Sequence, residues 1–359
     1  MSVMSSFSIE EILRTAREAG ASDVHLAAGL PPKMRVNGTL VTMNHSRITP
    51  SDTLDILISV MPEVQRQKFE EKGEYDFSFA VPECGRCRAN AYKQKGSVAF
   101  ALHLVDAKVP SPEELGMPES VAGLYERESG LVLVTGPSGS GRSATLASLV
   151  DQINENRDAL IITLEDPIEY MHSHKRAMVN QREMGLDSRC YADALKAALR
   201  EDPDVILVGE LRDPESVSEA ITAAETGHLV LSSLHASNVA NALDGILDMY
   251  PPHRQERIRE RLAEVLEAVV SQRLIPAGDG QGRVAAFEVL LNNQEVRRII
   301  REGSMQRLRE EMYSGMEQGM LPLDESVGKL YSDGRISRDT ALRYMGNPEE
   351  LEENGSAGG

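Results

Sequence analysis

The chain reads as an α/β protein, a domain with a mainly parallel sheet preceded by a small α+β domain. Three observations predict this. Apolar runs at Leu131–Thr135, Leu160–Leu164, Val205–Val208 and Leu229–Ser233 alternate with helical segments from Val121 onward, and strands that alternate with helices build parallel sheets. Before residue 105 the pattern changes, and Tyr75–Ala80, Gly85–Lys93 and Val98–Val105 read as antiparallel strands. Between Leu131–Thr135 and the helical pattern Ser143–Asn156 lies Gly136-Pro137-Ser138-Gly139-Ser140-Gly141-Arg142-Ser143. A glycine loop between strand and helix is the setting that phosphate-binding loops need.

Taken in order, residues 1–105 form the first domain. A helix is expected at Ile9–Ala19 and a strand at Asp23–Leu26. Pro31-Pro32 breaks the chain before a strand at Met34–Val36. Asn37-Gly38 is a hairpin signal before Thr39–Met43. A helix follows at Asp52–Met61. Residues 106–119 hold three prolines and read as a linker. The second domain spans 120–345, and its stretch from Pro252 to Met345 reads as more helical. Residues 346–359 end in Asn354-Gly355-Ser356-Ala357-Gly358-Gly359, a composition expected of a disordered tail.

Composition narrows the class. The chain has 359 residues, 41% of them hydrophobic, enough for two ordinary domains. No run approaches the roughly 20 apolar residues of a membrane span, and the N-terminus lacks a signal-peptide core. A cytoplasmic protein is expected. The net charge of −18 argues against nucleic acid as a partner, because phosphate backbones need a basic surface. Cys84-Gly85-Arg86-Cys87 has CxxC spacing. No second pair completes a zinc site, and strand-like residues follow where a redox motif would open a helix, so the pair reads as structural.

The loop carries the chemistry. Glycines let backbone N–H groups turn toward phosphate oxygens, and the following helix N-terminus adds partial positive charge. The nucleotide-binding residues expected are Gly136, Pro137, Ser138, Gly139, Ser140, Gly141, Arg142, Ser143 and Ala144. The Ser143 hydroxyl would ligate Mg²⁺. Arg142 stands where the motif has lysine, and the exchange is not conservative: a planar fork of donors replaces a compact point charge. Charge is kept, so binding can survive while positioning of the transferred phosphoryl group suffers.

Acids gather at the expected strand ends. Leu164-Glu165-Asp166-Pro167-Ile168-Glu169-Tyr170 closes the second core strand, and the crevice outside the carboxyl ends of parallel strands is where such sheets bind ligands. Asp204-Val205-Ile206-Leu207-Val208-Gly209-Glu210 is an apolar strand ending in an acid that can sit near Mg²⁺, partly through water. His228 and His235 bracket the strand Leu229–Ser233, and both are placed near the γ-phosphate side.

In order along the chain, these boxes resemble those of secretion-type ATPases, and most of all the type IV pilus retraction ATPases, PilT and its PilU paralogues. Further matching segments are Ser22-Asp23-Val24-His25-Leu26, Arg35-Val36-Asn37-Gly38, Asn180-Gln181-Arg182-Glu183, Ala198-Leu199-Arg200-Glu201-Asp202-Pro203-Asp204 and Arg297-Arg298-Ile299-Ile300-Arg301-Glu302. The resemblance implies a PAS-like first domain, a RecA-like second domain and a homohexameric ring binding ATP or ADP with Mg²⁺ between the domains. It implies Glu169 as general base, Glu210 supporting Mg²⁺ and water, and phosphate contacts from Arg86 and Arg88. Glu165, His228 and His235 complete the catalytic set. It also implies docking at an inner-membrane pilus platform protein.

Two departures besides Arg142 stand out. His103 replaces an arginine usual near the end of the first domain, and Ser232-Ser233-Leu234-His235-Ala236-Ser237 is looser than the usual box. Two functions therefore stay open: an active retraction motor, or a catalytically impaired nucleotide-binding paralogue that regulates or assembles with an active retraction ATPase. A DNA motor fits the fold but not the charge, and nothing marks the acceptor pocket or lid of a small-molecule kinase.

Overall fold

The protein is described from a computed structural model covering residues 8–36, 38–81, 84–105, 108–280 and 282–346. The tail expected from 346 onward lies, beyond Gly346, outside these residues, as does Asn37 of the predicted hairpin signal. The chain divides into two compact units: Met1–Lys108 with Glu169–Met171, and Val109–Ile168 with His172–Gly359.

The first unit holds α1 (Ile9–Glu18), β1 (Ala21–Ala27), β2 (Lys33–Val36), β3 (Thr39–Thr42), α2 (Pro50–Val60), α3 (Glu63–Lys72), β4 (Glu74–Val81), β5 (Gly85–Gln94) and β6 (Ser97–Leu104). The strands form one antiparallel sheet in the order β3-β2-β1-β6-β5-β4. Helix α1 starts where Ser8 caps the N–H of Glu11, and α2 starts with a reciprocal Thr49–Asp52 capping box. Ile12, Leu13, Leu26, Phe69 and Phe100 fill the core beneath the sheet. The sequence reading omits α3, because its charged sequence shows little apolar periodicity; Phe69 alone anchors it deeply. Cys84 and Cys87 are both free and buried, and burial pushes the Cys87 thiol up to about 11, which suits a packing role.

The second unit opens with α4 (Glu119–Ala122), β7 (Gly130–Thr135), α5 (Arg142–Asn156), β8 (Leu160–Glu165) and β9 (Met178–Glu183). Then come α6 (Tyr191–Ala198), β10 (Val205–Val208), α7 (Pro214–Glu225), β11 (Leu229–Leu234), α8 (Val239–Asp248) and α9 (Pro252–Val265). It continues through β12 (Leu266–Pro276), β13 (Arg283–Leu291), α10 (Gln294–Glu302), α11 (Leu308–Ser314), α12 (Leu323–Ser332) and α13 (Arg338–Tyr344). Its seven strands run β13-β12-β7-β11-β10-β8-β9, and only the β12–β13 pairing is antiparallel. Leu131, Leu133, Ile206, Val208 and Val230 pack on one face, and Val132, Val134, Leu149 and Ile153 on the other. That two-sided burial explains the unbroken apolar runs.

The stretch from Pro252 is less helical than its sequence suggests, since it contains β12 and β13, two long strands. A buried run such as Leu266–Val270 carries no period of its own, so only pairing with β7 decides that it is a strand. Among the described residues no helix is long and apolar enough to cross a membrane.

Candidate functional site

The parallel strands bring their C-terminal ends to one edge, and the phosphate-loop motif turns there. Gly136 has φ 148° and Gly141 φ 92°, and neither tolerates a side chain. A Cβ on Gly136 would lie 2.3 Å from the Gln272 carbonyl oxygen, and one on Gly141 would lie 2.8 Å from Gln272 Nε2. The backbone is thus pressed against β12, leaving its other face open to a ligand. Helix α5 begins at Arg142 with no side-chain cap, so its first N–H groups are left for an anion. Ser140 Oγ is buried without a hydrogen-bond partner. Ser143 and Ala144 are half-buried at the start of the helix. This cradle fits phosphate.

Arg142 reaches across to β11. Its NH1 donates to the Leu234 carbonyl at 2.6 Å, and NH2 lies 3.1 Å from His235 Nε2. The Thr135 hydroxyl donates to the carbonyls of Leu234 and Ala236 at 3.2 and 3.1 Å, fixing the same strand end. His235 Nε2 is in turn 3.2 Å from Glu210 Oε1. The other Glu210 oxygen accepts from Arg212 Nε at 2.7 Å. Arg212 NH1 lies 3.7 Å from Asp166 Oδ2. Arg142, His235, Glu210, Arg212 and Asp166 therefore form one polar chain along the sheet edge. Glu165 accepts from the Thr163 hydroxyl at 2.7 Å and from Gln181 Nε2 at 3.1 Å. The loose serines of the histidine box have work of their own. Ser232 and Ser233 donate to the Val208 and Gly209 carbonyls at 2.7 and 2.6 Å, tying β11 to β10 just before Glu210.

One expectation is corrected. His228 and His235 do not share the phosphate side. Parallel pairing sets Leu229 level with Gly130 and Leu234 level with Thr135. His228 therefore lies at the opposite edge, about 20 Å away by the rise of a six-residue strand. There its Nδ1 is 2.9 Å from the Ala223 carbonyl and 3.1 Å from Thr226 Oγ1, closing the turn after α7.

Arg86, Arg88 and Glu169 belong to the first unit. Arg86 NH2 donates to the Ser78 hydroxyl at 2.6 Å, and Arg88 NH1 lies 3.8 Å from Glu169 Oε1. His103 Nδ1 is 3.1 Å from Asp23 Oδ1.

Three site residues escape the sequence reading. Gln272, 1% exposed, holds the Thr145 hydroxyl with Oε1 at 2.6 Å beneath the loop. It lies in the polar triplet Ser271-Gln272-Arg273 between the apolar Ala268–Val270 and Leu274-Ile275, and no local pattern singles it out. Arg212 clamps Glu210 from two residues on. Tyr191, the first residue of α6, puts its hydroxyl 2.9 Å from where a Gly209 Cβ would be; nothing local marks it.

For Mg²⁺ the donor set fits. The Ser143 hydroxyl and Glu210 carboxylate are hard oxygens of the kind Mg²⁺ takes. Among the described residues no three acidic, histidine or cysteine side chains converge on a metal-sized site, so an ion held by these two residues would need further oxygens to complete its shell.

The model of the Type II/IV secretion system protein family matches residues 3–327. The chain is 42% identical over 343 residues to the type IV pilus retraction ATPase PilT of Pseudomonas aeruginosa, covering 96% of this chain and 99% of that one. It is 40% identical over 346 residues to the twitching motility protein of Neisseria gonorrhoeae, covering 96% and 92%. Among solved structures, the pilus retraction motor PilT with bound ADP superposes with a TM-score of 0.88 at 47% identity, covering 97% of this chain and all of that one. A family match over most of the chain, joined to full-length likeness at this identity, places the chain in the Type II/IV secretion system protein family.

Proposed function

We propose that this chain is a type IV pilus retraction ATPase, a motor coupling ATP hydrolysis to pilus disassembly. One observation carries the reading: a phosphate loop pressed on β12 stands beside the Glu210–His235 pair, in a chain alike over its whole length to PilT proteins. The motor acts as a homohexameric ring on the cytoplasmic side, docked on an inner-membrane platform protein.

The roles follow from the side chains. Backbone N–H groups from Gly136 to Ala144 bind the β- and γ-phosphates. Arg142 neutralises their charge once its guanidinium leaves the Leu234 carbonyl. Ser143 and Glu210 would hold Mg²⁺, which would neutralise phosphate charge when bound. Glu169 accepts the proton of the attacking water, Glu165 orients that water, and His235 fixes Glu210. Arg86 and Arg88 stabilise charge on the transferred phosphoryl group.

The docking of Arg142 on Leu234 and His235 favours a second reading. A side chain held there stays away from phosphate, giving a nucleotide-binding subunit that works beside an active paralogue. Steady-state ATP hydrolysis by the purified assembly, compared with Glu210→Ala, separates the two. Turnover well above the variant supports the motor. Nucleotide binding with no turnover above it supports the subunit reading.

A further inference from the structure

Strand β9 stands at the edge of the parallel sheet, beside β8. Their register sets Gln181 level with Thr163 and Glu183 level with Glu165. Residues two apart on a strand share a face, so these four side chains lie on one face, at the end of β8 that carries the acids.

The Gln181 amide is engaged at both ends. Its Nε2 donates to Glu165 Oε1 at 3.1 Å, and the Thr163 hydroxyl donates to the same oxygen at 2.7 Å. Its Oε1 accepts from the backbone N–H of His172 at 2.8 Å. The two partners fix which end of the amide is oxygen, because an N–H needs an acceptor and a carboxylate needs a donor. Only a side chain that gives and accepts at once serves both. An ionised glutamate in its place could not donate, and a lysine could not accept.

His172 closes the loop that carries Glu169. At the other end of that loop the Ile168 N–H donates to Oε2 of the buried Glu183 at 3.1 Å. Beyond His172, the buried Asn154 of α5 donates to the Ser173 carbonyl at 2.8 Å and accepts from the Lys175 N–H at 3.1 Å. Ile168, His172, Gln181 and Glu183 all belong to the second unit. In the chain, Glu169 thus lies between two backbone N–H groups held by alternate residues of β9, and one of those residues also holds Glu165.

We propose that Gln181 is a positioning residue for ATP hydrolysis. Its amide joins the Glu165 carboxylate to the loop that carries Glu169. The acid that orients the attacking water and the acid that accepts its proton then keep a fixed relation. The inference rests on the ATPase reading above and on its roles for these two acids. Misplacing a reacting group by about 1 Å can lower a rate by as much as about 100-fold. Nucleotide affinity rests on the phosphate loop, so loss of this link should appear in kcat rather than in KM.

Gln181→Met tests this, since it keeps the length of the side chain and removes both hydrogen bonds. Titration with ADP counts the folded sites, and turnover is referred to that count. The expected kcat is about tenfold lower, with the KM for ATP and the Kd for ADP each moved by less than about twofold. In a Glu165→Ala background the same substitution should lower kcat by only about threefold, because one of the two bonds is already gone. Gln181→Glu keeps an oxygen for the His172 N–H and sets a carboxylate against Glu165, and its kcat should also fall by at least about tenfold. Wild-type kcat in either Gln181 variant, or an equal factor for Gln181→Met in both backgrounds, overturns the inference while the motor reading stands. A wild-type assembly that binds ATP without hydrolysing it overturns the motor reading and this inference with it.

Discussion

The Nε2 of His235 stands 3.1 Å from the Arg142 guanidinium and also 3.2 Å from Glu210 Oε1. A single ring nitrogen cannot accept from the one and donate to the other at once. Without its proton it accepts from Arg142; with it, it donates to Glu210. Arg142 therefore competes with Glu210 for the residue that links the phosphate loop to the acid.

Arg142→Lys removes that competition. Lysine lacks the second arm that reaches His235 while its carbonyl contact can persist. We expect kcat for ATP to rise by roughly tenfold, with the Kd for ADP changed by less than about threefold. Steady-state kinetics and calorimetric titration at matched oligomeric state check it. An unchanged or lower kcat would show that arginine is not what limits turnover.

Glu210→Gln keeps the shape of the acid and removes its charge. Turnover should fall by at least about 100-fold while ADP still binds. Retention of near wild-type turnover would remove Glu210 from the chemistry.

Gly136→Ala should destabilise the second unit. Its Cβ would meet backbone, the Gln272 carbonyl oxygen at 2.3 Å, at a φ that side chains avoid. A cost of about 2–4 kcal/mol is expected from overpacking with backbone strain. A thermal midpoint within a degree of wild type, with nucleotide binding intact, would contradict the packing described.

Acid should weaken the second unit through His172. Its side chain is 2% exposed, and burial lowers its pKa below the ordinary histidine value in spite of Asp151 at 3.7 Å. The unfolded chain then binds the proton more readily than the folded one. The stability from this histidine is complete above the unfolded value of about 6.5. It declines as pH falls from there toward the folded value, by at most about 1.4 kcal/mol per pH unit. Thermal midpoints of wild type and His172→Gln between pH 7.5 and pH 5.5 measure it, and parallel curves would rule it out.

Much of this was legible in the sequence because it is local. The glycines of the phosphate loop, the Thr49–Asp52 cap and the four apolar core strands each announce themselves within a few residues, through backbone freedom, capping chemistry and two-sided burial. So do the acids at the strand ends and the arginine in place of lysine. Tertiary structure decided what depends on partners distant in sequence. Strand β12 is a strand because β7 and β13 pair with it. His228 and His235 look equivalent in sequence, and only the parallel register sends them to opposite edges of the sheet. Gln272 and Tyr191 join the site from β12 and α6, because packing beneath Gly136, Gly141 and Gly209 requires contacts that no local pattern encodes.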